Sequence, residues 1–97
     1  MSGYVVSDLA LDDLSDIRQY IAADNVSAAD RVIAGFFHRF RLIAEQPELG
    51  AARPEFKGGN LRVHSVGSFV IFYRIVEGDV EIARVLHGSR DVDALID

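Results

Sequence analysis

The chain has 97 residues and a mass of 10.7 kDa, room for one hydrophobic core and therefore one domain spanning 1–97. Hydrophobic residues make up 49% and charged residues 26%, which excludes a disordered tail, and the lack of cysteine excludes a disulfide framework, a thiolate nucleophile and a cysteine zinc site. A net charge of −5 and a pI near 5.0 oppose binding through nucleic-acid phosphates, so no direct sequence-specific nucleic-acid contact is expected.

Met1-Ser2-Gly3-Tyr4 carries no basic and apolar leader pattern, and the longest apolar run, Phe69–Tyr73, is far short of the roughly 20 residues of a membrane span. A cytoplasmic protein with no membrane partner is the expectation. Tyr4-Val5-Val6 reads as a short edge strand, and Ser7 or Asp8 can cap the helix that follows. Ala10, Leu14, Ile17 and Ile21 then fall on one helix face, and Asp12 and Asp13 suit the positive end of its dipole. Asp24-Asn25-Val26 interrupts. Ser27 with Asp30 three residues on predicts a second capped start, and Val32, Phe36, Phe40 and Ile43 give its stripe, widened by Ile33 and Phe37. Pro47 and Gly50 end it. Helices over 7–23 and 27–46 joined so closely must pack antiparallel, with Leu14, Ile17, Phe36 and Phe40 buried.

The period then changes. Residues 51–60, with Pro54 and Gly58-Gly59, read as a loop. Leu61–Val66 is a strand with Leu61, Val63 and Ser65 on one face and Arg62, His64 and Val66 on the other. Phe69–Val76 is a nearly all-apolar central strand, Glu77-Gly78-Asp79 a tight hairpin and Val80–His87 a third strand. Residues 91–96 have the pattern of one closing helical turn. The predicted fold is α+β: a two-helix antiparallel hairpin on a small antiparallel sheet, in the order β-α-α-β-β-β with a short C-terminal helical turn.

Charge is unevenly spread: residues 1–30 are net −5, 31–62 net +3 and 63–97 net −3. Any anion-binding face must be built around Arg31, Arg39, Arg41, Arg53, Lys57 and Arg62, each of which a solvated helix or loop would equally account for. No Gly-x-Ser-x-Gly elbow, paired histidine motif or glycine-rich phosphate loop is present, so no metal or other cofactor is expected. One constellation stands out. Arg62 and His64 share a strand face, and His87 and Arg90 lie at the end of the third strand, so a meander would bring them toward one sheet edge. A histidine beside arginines is what metal-free RNA cleavage needs: a proton carrier and cations for the phosphoryl transition state. The alternatives are a half-exposed strand position for His64, a backbone hydrogen bond for His87 and pairing of Arg90 with Asp91 or Asp93.

Several segments resemble the ParE branch of the ParE/RelE toxin superfamily across nearly the whole chain and in order. They are Val6-Ser7, Ala10, Asp13-Leu14, Ile17 and Tyr20; Pro47-Glu48-Leu49-Gly50; Gly59-Asn60-Leu61-Arg62; Val66 to Arg74; and Ile82-Ala83-Arg84-Val85-Leu86-His87. The resemblance implies a type II toxin neutralised by a co-expressed ParD-like antitoxin in a hetero-oligomer. RelE-like members are ribosome-dependent messenger RNA endonucleases with basic sheet residues and a C-terminal tyrosine, whereas ParE-like members inhibit DNA gyrase. Here Val70 stands where the nucleases carry an arginine, and aliphatic Leu95 and Ile96 stand near the tyrosine position. The gyrase reading is therefore preferred, with no catalytic residues of its own. The alternatives are a nuclease using Arg62, His64 and Arg90, or a module that only titrates an antitoxin. The resemblance makes His87, Arg90, Asp91 and Leu95 candidates to meet the target, and Arg31, Arg39, Arg53, Phe69 and Arg74 candidates to meet the antitoxin.

Overall fold

The computed structural model describes residues 3–56 and 58–88. Its elements are β1 (Tyr4–Val6), α1 (Asp8–Ala22), α2 (Val26–Glu45), β2 (Ala51–Ala52), β3 (Arg62–Val66), β4 (Phe69–Val76) and β5 (Asp79–His87). The helices pack on a five-stranded sheet of order β1-β5-β4-β3-β2. The α+β architecture and the helical hairpin are as the patterning predicts. Two features of the sheet differ. It is mixed rather than antiparallel, because β1 runs parallel to β5 with Tyr4 opposite Val80 and Val6 opposite Ile82. Residues 51–52, expected in a loop, form β2, antiparallel to β3. The expected C-terminal turn lies outside the described residues.

Helix α1 starts where Ser7 leaves β1. The Ser7 hydroxyl accepts from the Ala10 amide (3.1 Å) and donates to the Ala83 carbonyl (2.8 Å), so one side chain caps the helix and ties it to β5. The cap of α2 is Asn25, not Ser27: its side chain accepts from the Ala28 amide at 2.9 Å. Asn25 is extended and already outside the helix, whereas Ser27 lies inside the first turn, where its side chain has no free amide to close on. Asp30 instead pairs with Arg18 of α1 at 3.0 Å, an exposed bridge that adds little stability.

Apolar side chains of both helices meet alternate residues of the sheet. Ala10, Leu14, Phe36, Phe40 and Ile43 are buried against Ile71, Tyr73, Val80, Ile82 and Val85, with Ile17 packed on the margin. Because side chains alternate along a strand, Phe72 points to the opposite face. There it joins Leu61, Ala83 and Leu86 beneath Phe56, whose ring meets it edge-on at 5.4 Å. The β4–β5 register slips once: Phe72 pairs with Arg84 but Tyr73 with Ile82, leaving Ala83 as the extra residue of a bulge. Beyond that bulge the Arg84 guanidinium donates to both carboxylate oxygens of Asp13 (2.8 and 2.9 Å), and the Val85 amide donates to Asp13 Oδ2 at 2.9 Å. The Asp13 side chain is only 11% exposed, so this three-bonded carboxylate is the principal polar link between α1 and the sheet.

Candidate functional site

The predicted convergence on one sheet edge does not form. β3 and β5 run the same way, and register places Arg62 beside Tyr73 and Ile82 but Val66 beside Phe69 and His87. Arg62 thus sits about 13 Å along β3 from the row that holds His87. His64 and His87 are two strands and two residues apart, on the order of 11 Å, with Ile71 and Phe69 between them. Arg90 lies outside the described residues, as do Asp91, Leu95 and Lys57.

Arg62 is committed to the backbone. Its Nε and Nη2 donate to the Gly50 carbonyl (3.0 and 2.7 Å), and Nη2 reaches the Glu48 carbonyl at 3.4 Å. His64 packs against α2, where Arg39 Nη1 lies 3.2 Å from its Nε2. A guanidinium only donates, so Nε2 accepts and the ring proton resides on Nδ1. Burial, and then the Arg39 charge, hold the imidazole pKa below its ordinary value. The neutral ring is the folded form. The unfolded chain therefore takes up a proton first as pH falls, and the stability this contributes is complete above about pH 6.5. It is lost as pH drops through that value toward the lowered folded-state pKa. Denaturant melts at about pH 7.5 and about pH 5 should show a larger acid loss for the wild type than for His64→Gln. Equal losses would uncouple His64 from folding.

The other arginines are placed differently from one another. Arg53 bonds Glu55 at 2.5 Å and lies over the Phe56 ring, 4.9 Å from its centroid. Arg74 bridges to its cross-strand partner Glu81 at 2.6 Å. Arg31 is exposed on α2. Of the candidates for meeting an antitoxin, Arg39, Arg53 and Arg74 are thus held by neighbouring side chains, while Arg31 and Phe69 present themselves outward to different degrees.

Phe69 and His87 do come together. They face each other at the end of the sheet, rings edge-on at 5.6 Å, with Phe36 on the other side of Phe69 at 5.5 Å. They line a cleft of about 410 Å³ between α1 and the end of β5, with Ile17, Ile21 and Val85 as its floor and Asp13, Asp16 and Tyr20 on its wall. Tyr20 is 80% exposed and Leu9, on the same side of α1, 58%. Helical spacing of 11 residues puts them on one stripe that continues the cleft across the helix surface.

A second arrangement was not foreseen from the sequence. The Tyr73 hydroxyl, fully buried, donates to the Pro47 carbonyl (2.6 Å) and accepts from the Gly50 amide (2.8 Å). With Arg62 on the Gly50 carbonyl, this fixes the loop from α2 to β2. The signal was present in the Pro-Glu-Leu-Gly segment, but its partners lie 12 and more residues away. Among the described residues no group of three His, Asp or Glu is placed to hold a metal, and no helix is long and apolar enough to cross a membrane.

A family model described as ParE toxin of type II toxin-antitoxin system, parDE, matches residues 4–92. Two relatives named Toxin ParE1, from two strains of Mycobacterium tuberculosis, are each 35% identical over 69 residues, covering 70% of this chain and 69% of theirs. A solved structure described as the chromosomal ParDE TA system from P. aeruginosa superposes with a TM-score of 0.73 over 90% of this chain and 95% of that one. At 19% identity that likeness speaks for the fold. With the sequence match running from β1 past the end of β5, and the fold shared, the chain belongs to the ParE toxin family of type II toxin–antitoxin systems.

Proposed function

We propose that this ParE-family chain is the toxin of its pair, that it inhibits DNA gyrase by binding and without proton-transfer chemistry of its own, and that a ParD-like antitoxin neutralises it. The observation that carries this reading is the engagement of two of the three nuclease candidates: Arg62 on the Gly50 carbonyl, and His64 held neutral against Arg39. An imidazole whose Nε2 accepts from a guanidinium is poorly placed to take a proton from a ribose hydroxyl. What the surface offers instead is apolar area. The cleft holding Phe69 and His87, together with Leu9 and Tyr20, suits a segment that folds onto it, which is the antitoxin's part in this reading. Because His87 is also a target-contact candidate, an antitoxin seated there neutralises by covering it. Arg90, Asp91 and Leu95 continue that candidate surface in sequence.

The test runs purified protein in parallel on gyrase supercoiling and on messenger RNA at translating ribosomes. The expected result is inhibited supercoiling and intact RNA, with His64→Ala changing inhibition by less than about threefold, whereas loss of a general acid or base costs 10²–10⁴ in rate. Ribosome-dependent cleavage abolished by His64→Ala would make the protein a nuclease. Expression without growth arrest, alongside tight binding of the neighbouring antitoxin, would make it a titrating module.

A further inference from the structure

At the opposite end of β4 from the Phe69–His87 cleft, Ile75 is part-exposed, six residues and about 20 Å from Phe69. It forms the floor of an open groove of about 610 Å³ walled by Pro47, Leu49 and Gly78. The same side chain continues into a smaller hollow of about 240 Å³ beside Ala52. The groove is rigid on one side, because the Pro47 and Gly50 carbonyls are held by Tyr73 and Arg62. One carboxylate belongs to its lining and three more adjoin lining residues in sequence. Glu48 lines it, and Glu45, Glu77 and Asp79 flank it in sequence and are exposed. Helix α2 ends here with no basic residue in its last turn, adding the negative end of its dipole. Among the described residues the nearby arginines are engaged elsewhere, Arg62 on backbone carbonyls and Arg74 on Glu81.

We infer that this groove is a second docking surface, which takes a Lys- or Arg-bearing apolar patch on the toxin's protein target. The inference rests on the gyrase reading above. An enzyme that handles duplex DNA must present cations to the phosphates, and an apolar groove rimmed by carboxylates is complementary to such a surface. The same carboxylates repel nucleic acid and anionic lipid. A second copy offers a smaller complement, since its arginines at 39, 53, 62, 74 and 84 are tied to its own groups and its exposed Arg31 and Arg41 lie on α2. The antitoxin is assigned to the cleft at the far end of the sheet. The cleft is thus where antitoxin and target compete, and the groove is left to the target alone.

The experiment measures gyrase binding and supercoiling inhibition for the wild type, for the double variant Glu48→Lys/Glu77→Lys and for Leu49→Ser, with affinity for the antitoxin encoded beside it as the second readout. All three positions are exposed, and Lys at 77 meets the same positive-φ backbone as Glu, so melting temperatures should stay close to wild type. The charge reversal should weaken gyrase binding by about tenfold or more and flatten its dependence on salt. Leu49→Ser should weaken it by about threefold or more through lost apolar contact, and antitoxin affinity should stay within about twofold in both, as for distant independent sites. Wild-type inhibition with both variants equally potent would overturn this inference alone. Loss of antitoxin affinity with gyrase affinity retained would overturn it in favour of the antitoxin as occupant. A wild-type chain that neither binds nor inhibits gyrase would overturn the underlying functional reading and this surface with it.

Discussion

Phe40→Ala is expected to cost about 3–5 kcal/mol and leave little folded protein near physiological temperature. Phe40 is fully buried where α2 crosses the sheet, and its ring meets Tyr4 of β1 at 5.7 Å and Phe37 at 5.3 Å. Truncation opens a cavity between α2 and the edge strand β1, and neither can close it without breaking its own hydrogen bonds. For a domain of this size each kcal/mol moves the melting temperature by about 4–8 °C, so calorimetry should show a fall of well over ten degrees. Tyr20→Ala is the control. That ring is 80% exposed, and its removal should stay within about 0.5 kcal/mol of wild type. If Phe40→Ala melted like the control, the core would lie elsewhere.

Gly50→Ala should be nearly as damaging, at ~3 kcal/mol or more, for a reason of space alone. A Cβ at this position would lie 2.5 Å from the Val63 carbonyl oxygen and 2.7 Å from the Tyr73 hydroxyl. The first is backbone inside β3 and cannot swing aside. The second is held between Pro47 and Gly50 by its own two hydrogen bonds. Relief of the clash must push the loop outward, which breaks the Tyr73 bonds and the Arg62 contact to the Gly50 carbonyl together. Tyr73→Phe, which removes only the hydroxyl, should cost about 1–3 kcal/mol. The double variant should lose much less than the sum, because both substitutions break the same contacts. Strict additivity of the two losses, or a Gly50→Ala protein as stable as wild type, would show that the lock contributes nothing.

The parts of the fold that were legible are those whose cause is local. Leu14, Phe36, Phe40 and Ile43 repeat at the helical period because one face of each helix is buried, and Phe69–Tyr73 is apolar throughout because this part of β4 is central and feeds a core cluster on each face. The capping side chain of α2 was one step less legible: Asn25 and Ser27 are both good caps, and only the chain direction entering the turn selects Asn25. Strand β2 was not legible. Ala51-Ala52 has no strand propensity of its own and is drawn into the sheet by Tyr73 and Arg62 from two other strands. The candidate site failed for a related reason. The placement of Arg62 and His64 on one strand face was correct, but Arg39, 25 residues earlier, and Gly50, 12 residues earlier, had already claimed them. The bond between Asp13 and Arg84 spans 71 residues and left no trace in local pattern.

The parallel pairing of β1 with β5 sets an order in time. Ser7 needs the Ala83 carbonyl, and Tyr4 and Val6 need Val80 and Ile82, so the first strand has no partner until almost the last described residue has been made. Contacts separated by most of the chain close slowly, because the ends of a long loop must find each other before anything rewards the meeting. Helices α1 and α2 can form early, but the face they share stays uncovered while the sheet is incomplete. A nascent chain stopped short of β5 has neither a place for β1 nor the row in which Phe69 meets His87. Translation products of this toxin that stop or stall before β5 should therefore be harmless, exposed and readily degraded, and its folded lifetime begins only once β5 has been made.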